Sequence, residues 1–276
     1  MAELNNFISI TPKFSLNKHI DSYYFHSCKN KKSILKYTYY PHIKHAITIY
    51  KDSTAETSGN FTLVKPKKAA FTVLYSTVRD QPQNVEIRGN FKKIGIVFKP
   101  HGINHFVDRP LKEFNKNTIS YFKEWDSGLK KIIEKIWETQ DINQKILLLE
   151  SFLKKQETLN FNQQFDTIIG DISKLEKIES VQKLSKHFNL SRKTFYRIFV
   201  KELNCSPSKF LKILRFRNSL ENYLSKSEIN LTAAAVTQFY DQSDFIKNVK
   251  QITAITPKKF TQEISDLKNS IFWKIE

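Results

Sequence analysis

Charged and hydrogen-bonding side chains gather on one face of a short predicted helix that begins after Ser191. Phe195, Ile198, Phe199 and Leu203 recur at helical spacing, so they are predicted to face a core. The opposite face then carries Arg192, Lys193, Thr194, Tyr196, Arg197 and Lys201. An arginine can donate two hydrogen bonds to guanine, and exposed cations attract phosphate, so the chemistry of this face suits a polyanion.

A second helix and a turn are needed to position that face. Val181, Leu184 and Phe188 predict a short helix capped by Ser180, and residues 189–191 predict a turn in which Ser191 caps the next helix. Two short helices joined by such a turn, the second basic on its outer side, are what a major groove of DNA accepts.

The same pattern of residues recurs 50 positions later in the chain. The first copy contains Phe195, Phe199, Pro207, Lys209 and Phe210, and the second contains Phe245, Val249, Pro257, Lys259 and Phe260. In the second copy a first helix is predicted from Leu231, Ala233–Ala235 and Phe239, a turn from Tyr240–Asp241, and an outward face from Gln242, Ser243, Asp244, Lys247 and Asn248. Residues 206–225 predict a spacer helix of about 28 Å, close to the roughly 34 Å between successive major grooves.

Charge separates the two copies. The whole chain has 45 Lys and Arg against 27 Asp and Glu, a net charge of +18 that suits a polyanionic partner. Between Lys183 and Arg217 there are ten basic residues and one acid, Glu202, whereas residues 228–263 hold four of each sign. The two copies are therefore not expected to bind a polyanion equally.

Other chemistries find less support. His42 with His45, and His101 with His105, have metal-like spacing, but neither pair is flanked by a carboxylate, and His101 is predicted to begin a helix rather than lie within one. Cys28 and Cys205 are too few and too distant to form a disulfide framework. We expect no metal, no cofactor and no catalysis.

Composition and pattern predict an α+β chain. Short runs with β propensity at 46–50, 61–64, 70–78, 85–88 and 93–98 predict an antiparallel barrel or sandwich, with a hairpin at Gly89–Asn90. Beyond Pro110, helical spacing takes over. We divide the chain into a β-rich sensor domain (1–115), a helical hairpin (116–157), a linker (158–164), an all-α double helix-turn-helix domain (165–266) and a tail (267–276).

The residues of the repeat closely resemble the DNA-binding domain of the AraC/XylS family of bacterial transcription regulators. The resemblance covers about residues 165–263 and rests on Leu184, Leu190–Ser191, Phe195 to Phe199, Ser206–Pro207, Phe210, Arg215 to Arg217, Phe239, Asp241 to Ser243, Phe245, Thr256–Pro257 and Phe260. It implies two recognition helices that enter adjacent major grooves and are joined by one long helix.

The resemblance also implies roles for individual residues. Base contacts fall to Lys193, Thr194, Tyr196, Arg197, Gln242, Ser243 and Lys247, and phosphate contacts to Arg192, Lys201, Lys209 and Lys250. Asn204, Gln238 and Ala254 stand where the family usually has glycine, Asp244 where it often has histidine, and Val249 where it usually has an aromatic residue. An acid at the start of the second recognition helix should repel phosphate, so we expect the second copy to bind more weakly.

The segment Phe91 to Val107 resembles the cupin-like sensor domain that precedes this module in many bacterial regulators, through Phe98, Pro100 and Gly102. Candidate partners are double-stranded DNA, RNA polymerase, an unidentified small-molecule effector and a second copy of the chain through residues 125–155. The N-terminus predicts no secretory signal, and no apolar run predicts a membrane span, so a cytoplasmic, nucleoid-associated protein is expected.

The leading hypothesis is a sequence-specific transcription regulator, with activation as the expected sign. The alternatives are a regulator-like interaction protein with weak, nonspecific DNA binding, and a regulator that needs no effector. Some DNA-alkylation repair proteins carry the same module beside a reactive cysteine, but the surroundings of Cys28 do not match theirs.

Overall fold

The computed structural model describes residues 6–12, 15–114, 119–125, 128–225, 238–263 and 273–275. The strands are β1 (Phe7–Ile10), β2 (Ile20–Cys28), β3 (Ile34–Tyr39), β4 (His45–Ser58), β5 (Phe61–Ser76), β6 (Gln83–Arg88), β7 (Phe91–Phe98), β8 (Ile119–Tyr121) and β9 (Trp273–Ile275). The α-helices are α1 (Gly128–Glu138), α2 (Ile142–Lys155), α3 (Gln163–Lys174), α4 (Val181–His187), α5 (Arg192–Leu203), α6 (Pro207–Ser225), α7 (Gln242–Thr253) and α8 (Pro257–Glu263). Short 3-10 helices occupy Leu16–Lys18, Gly102–Phe106 and Leu111–Glu113. The predicted α+β class is confirmed.

The strands follow the order β1-β2-β7-β4-β5-β6-β3-β9, and β8 pairs with β5. The long β4–β5 hairpin turns at Gly59–Asn60, where Gly59 adopts a φ of +56°. The two runs predicted at 61–64 and 70–78 are one strand, β5, which passes through Pro66. A bulge permits this, because the ladder shifts register beside Asp52 and the Asp52 carboxylate accepts a hydrogen bond from the Ala69 N–H at 3.0 Å.

The hairpin predicted at Gly89–Asn90 is wrong. β6 and β7 follow one another in the chain, but β7 lies between β2 and β4, whereas β6 lies between β5 and β3. Gly89, with a φ of +70°, exchanges hydrogen bonds with Ser33 instead: its N–H donates to the Ser33 carbonyl at 2.7 Å, and the Ser33 hydroxyl donates to its carbonyl at 2.8 Å. The chain therefore arches from one strand to a non-neighbouring one.

The chain divides into two compact units. The first comprises Met1–Lys36, Lys44–Thr77 and Val85–Phe161, and the second comprises Tyr37–Ile43, Val78–Asn84 and Asn162–Glu276. Sequence patterning assigned all residues up to 115 to one β domain, so it did not separate the two short segments that belong to the second unit. Those segments bury Tyr40, Ile43 and Val78 among the helices, which explains their assignment.

The hairpin of α1 and α2 belongs to the first unit. The Asp141 side chain begins α2 by accepting a hydrogen bond from the Asn143 N–H at 2.8 Å. Its apolar face, including Ile133, Ile136 and Leu149, is buried with the strand residues Ile94 and Ile96. Across the described ranges, we find no helix that combines the length and the hydropathy required to span a membrane.

Candidate nucleic-acid interface

The first helix-turn-helix copy is formed by α4 and α5. As predicted, Ser180 and Ser191 are their N-caps: the Ser180 hydroxyl accepts a hydrogen bond from the Lys183 N–H at 3.3 Å, and the Ser191 hydroxyl accepts one from the Thr194 N–H at 3.1 Å. Asn189 adopts a φ of +54° in the turn, a conformation that asparagine tolerates better than most residues. Local sequence chemistry therefore fixes where the candidate recognition helix begins.

Aromatic packing fixes the rotation of α5 about its axis. Phe195, Phe199 and Leu203 are buried, and the Phe199 ring lies 5.0 Å from that of Phe165 on α3 and 5.5 Å from that of Phe210 on α6. These contacts pack α5 against α3 and α6. Since the buried face is fixed, the opposite face is fixed as well.

That opposite face is exposed, as predicted. Arg192, Lys193, Arg197 and Lys201 are exposed, and Tyr196, a large aromatic residue, is 55% exposed. Thr194 is half-buried, and its hydroxyl lies 2.9 Å from that of Ser191. The Lys201 ammonium lies 3.3 Å from the buried Glu202 carboxylate, whereas no ion pair involves Arg192, Lys193 or Arg197 within the described part of the chain.

The second copy repeats this construction on α7. Asp241 begins the helix by accepting a hydrogen bond from the Asp244 N–H at 2.7 Å, and Phe245, Val249 and Ile252 are buried. Gln242, Ser243, Lys247 and Lys250 are exposed. The helix predicted from Leu231 and Ala233–Ala235 falls within residues 226–237, outside the described residues.

The predicted repulsion between Asp244 and phosphate assumes that the Asp244 carboxylate is fully exposed. Asp244 is half-buried, and its carboxylate accepts a hydrogen bond from the Asn248 side-chain amide at 2.7 Å. The same amide donates to the Asp244 backbone carbonyl at 2.8 Å. The charge of Asp244 is therefore partly satisfied within its own helix.

Lys209 has an acidic neighbour that the repeat did not reveal. Its ammonium lies 3.3 Å from the carboxylate of Asp80, which belongs to the Val78–Asn84 segment of the same unit. The two residues are 129 positions apart, so no local pattern could have paired them. A phosphate that binds Lys209 would have to share the lysine ammonium with Asp80 or displace the Asp80 carboxylate.

The spacer helix α6 contributes to both copies. It has 19 residues, and its Phe210 and Leu214 belong to the core of the first copy, while its Phe216 and Leu220 belong to the core of the second. An arginine on a spacer helix could pair with nearby acids such as Glu202 or Glu221. Instead, Arg215 donates to the carbonyls of Ile178 and Glu179, and Arg217 to those of Tyr40 and Pro41.

The cysteines and histidines of the alternative chemistries are mostly packed. Cys205 is buried, and this burial raises the pKa of its thiol to about 12, which opposes formation of a nucleophilic thiolate. His45 is fully buried, its Nδ1 lies 2.7 Å from the Tyr75 hydroxyl, and burial lowers its pKa to about 3. His101 begins the Gly102–Phe106 3-10 helix with a φ of +64°, as its flanking residues predicted.

Two known families match separate parts of the chain. A family described as a helix-turn-helix domain matches residues 184–263, and one described as a domain of unknown function (DUF6597) matches residues 8–120. No curated protein matches the chain.

Among solved structures, ToxT from Vibrio cholerae strain SCE256, bound to an unsaturated fatty acid, is similar at 13% identity with a TM-score of 0.46, covering 98% of this chain and 100% of that one. ToxT in its P21 crystal form is similar at 9% identity with a TM-score of 0.44, covering 86% and 97% of the two chains. ToxT from strain O395 is similar at 10% identity with a TM-score of 0.41, covering 88% and 99%.

Proposed function

We propose that the protein is a sequence-specific transcription regulator that inserts α5 and α7 into adjacent major grooves of DNA. Its residues 184–263 match a helix-turn-helix family, and their pattern resembles the AraC type. The observation that carries this proposal is the exposed basic face of α5, held outward by the buried Phe195 and Phe199. The expected sign of regulation is activation, through contact with RNA polymerase.

Base reading is assigned to the centre of each exposed face. In the first copy Lys193, Thr194, Tyr196 and Arg197 read bases, and in the second copy Gln242, Ser243 and Lys247 do so. Arginine pairs with guanine and glutamine with adenine through two hydrogen bonds, each pairing worth about 1–3 kcal/mol of discrimination. Arg192, Lys201, Lys209 and Lys250 contact phosphate, which positions the protein without specifying sequence.

The first copy dominates recognition. Its segment from Lys183 to Arg217 holds ten basic residues against one acid, whereas the second copy is balanced in charge. Asp244, in the first turn of α7, adds a negative charge to the second copy, although its carboxylate accepts a hydrogen bond from Asn248. The second copy mainly extends the footprint.

A titration of the intact protein with duplex DNA tests the proposal. We expect one protected site spanning two major grooves, selected from a random pool, and Arg197→Ala should reduce the preference for that site by about 5- to 150-fold. Lys247→Ala should reduce it less. Equal affinity for the selected and a scrambled duplex at physiological salt would refute sequence-specific regulation.

A second experiment tests the division of these residues into base contacts and phosphate contacts. Lys201→Ala should weaken binding to all sequences alike and lower the slope of log affinity against log salt by about one. Lys174→Ala is the matched control, since Lys174 is an exposed lysine of the same unit that ends α3 and, like Lys201, lies near a carboxylate of its own helix, that of Asp171. A change of base preference in the Lys201 variant would contradict its assignment to phosphate.

An effector and a dimer partner belong to the same proposal. An open cleft of about 360 Å³ in the first unit, lined by residues that include Phe71, Phe122, Trp125 and Leu129, is large enough for a small molecule. The apolar face of the α1–α2 hairpin is buried, so a dimer contact through residues 125–155 would use its outer side, where Leu147 is 52% exposed.

A further inference from the structure

A segment other than the spacer helix also connects the two helix-turn-helix copies. We call residues Tyr37–Ile43 the strap; it begins within the last three residues of β3 and is part of the second unit. Ile43 at one end of the strap is buried in the core of the first copy. Tyr40, three positions earlier, is buried in the core of the second copy, with its ring 4.8 Å from that of Phe260. The strap therefore contributes to both cores.

Arg217 fastens the strap to the middle of α6. Its side chain is buried, and its guanidinium donates hydrogen bonds to the Pro41 carbonyl at 2.7 Å and to the Tyr40 carbonyl at 2.9 Å. A buried charge is costly unless it is hydrogen-bonded, and these two carbonyls meet part of that need. Because the acceptors are backbone atoms, the contact fixes the path of the strap and not merely a side chain.

A second tie joins the loop before α4 to the start of the second copy. Gln238, which is 4% exposed, donates its side-chain amide to the Glu176 carbonyl, and its carbonyl oxygen lies 3.5 Å from the Ile178 N–H. Arg215 of α6 donates to the Ile178 carbonyl at 3.3 Å and to the Glu179 carbonyl at 3.0 Å. A glycine at position 238, which the family pattern favours, has no side chain with which to make this tie.

We propose that Arg217, Gln238 and the strap are positioning elements that lock the two copies into one relative orientation, so that the protein accepts only one spacing between its two half-sites. The spacing consequence rests on the proposed function, whereas the lock itself does not. A single helix between the copies fixes the separation of its own ends, but each copy could still rotate on it by repacking. Ties between the copies at two further places remove that freedom.

A distance measurement without DNA tests the lock directly. Spin labels are placed at Lys186→Cys on α4 and Lys258→Cys on α8, both exposed, in a Cys28→Ser background. We expect a narrow distance distribution for the full chain and a broadened one after Gln238→Gly or Arg217→Met. Gln164→Ala, which alters an exposed glutamine of the same unit, and Tyr40→Phe, which keeps the ring, should leave the distribution narrow.

The dependence of DNA affinity on the spacing between the half-sites tests whether the lock restricts that spacing. Each inserted base pair rotates one half-site by about 34° relative to the other, so one insertion should weaken binding of the unsubstituted protein by about tenfold or more. In the Gln238→Gly protein the same insertion should cost about twofold, with unchanged affinity for the first half-site alone. Circular dichroism checks that each variant is folded, and Gln238→Gly serves if Arg217→Met does not fold.

The outcomes separate the two claims. A broad distribution in the unsubstituted protein, an unchanged one in folded Gln238→Gly, or an equal insertion penalty in both would overturn the lock. A narrow distribution that broadens as expected, in a protein that shows no preference among duplexes, would support the lock and refute the proposed function.

Discussion

Ala254 ends α7 in a conformation that costs an L-amino acid energy. It adopts a φ of +64° and a ψ of +4°, and its N–H donates to the Lys250 carbonyl at 2.9 Å. Glycine is the usual residue at such a helix end, because it has no Cβ to approach the backbone. Its methyl group is exposed, so Ala254→Gly should relieve strain without the loss of buried contacts.

The size of the effect follows from two opposing terms. The left-handed conformation costs an alanine about 1–2 kcal/mol, while glycine loses about 0.5–1 kcal/mol more conformational entropy on folding. The net expectation is that Ala254→Gly raises the free energy of unfolding of the second unit by about 0.5–1 kcal/mol. For a unit of this size that corresponds to an increase in Tm of about 2–4 °C.

The repeat supplies its own control. Asn204 is the equivalent residue of the first copy and adopts a φ of +50°, but asparagine tolerates this region. In urea unfolding followed by circular dichroism, Asn204→Gly should therefore raise the free energy of unfolding less than Ala254→Gly. If Ala254→Gly leaves the protein unchanged or destabilises it, or if both variants gain equally, strain at position 254 is not the cause.

Three further predictions concern stability. Gly95→Ala should destabilise the first unit by about 1–3 kcal/mol or prevent its folding, because a Cβ at this position would lie 1.9 Å from the Tyr24 ring; thermal unfolding checks this, and a wild-type Tm would contradict it. Ser191→Ala should cost about 1 kcal/mol through loss of the cap to Thr194, and a cost below a few tenths would show that the cap is dispensable. His45 has a folded pKa lowered to about 3, so the unfolded chain binds more protons between pH 3 and about 6.5, and the stability that is complete above pH 6.5 is lost as the pH falls. Between pH 7 and pH 5, the free energy of unfolding should fall by about 2 kcal/mol less in His45→Phe than in the unsubstituted protein. Equal decreases, measured by urea titration, would refute the lowered pKa of His45.

Features that depend on neighbouring residues could be read from the sequence. Ser180 and Ser191 cap their helices through residues three positions away, and the inward faces of α5 and α7 repeat at the helical period. The left-handed residue after α5 could be anticipated at Asn204, since only a few residue types adopt it readily. Ala254, where the family that the repeat resembles usually has glycine, also adopts a positive φ.

Strand partners could not be read in the same way. Gly89–Asn90 has the chemistry of a hairpin turn, yet β6 and β7 do not pair. A turn signal specifies only that the chain changes direction, whereas the pairing depends on which strands already occupy the neighbouring positions. The long β5 likewise depends on a bulge opposite Asp52, which its own sequence does not disclose.

By itself, the sequence determined the outward face of α5, its beginning and the asymmetry of charge between the two copies. Only the tertiary structure decided that the strap belongs to the DNA-binding unit, that Asp80 lies beside Lys209, and that Gln238 ties one copy to the other. Caps and periodic faces arise from contacts within a few residues, so their signal is local. The contact of Arg217 with Pro41 joins positions 176 residues apart, and only the folded backbone brings them within hydrogen-bond distance.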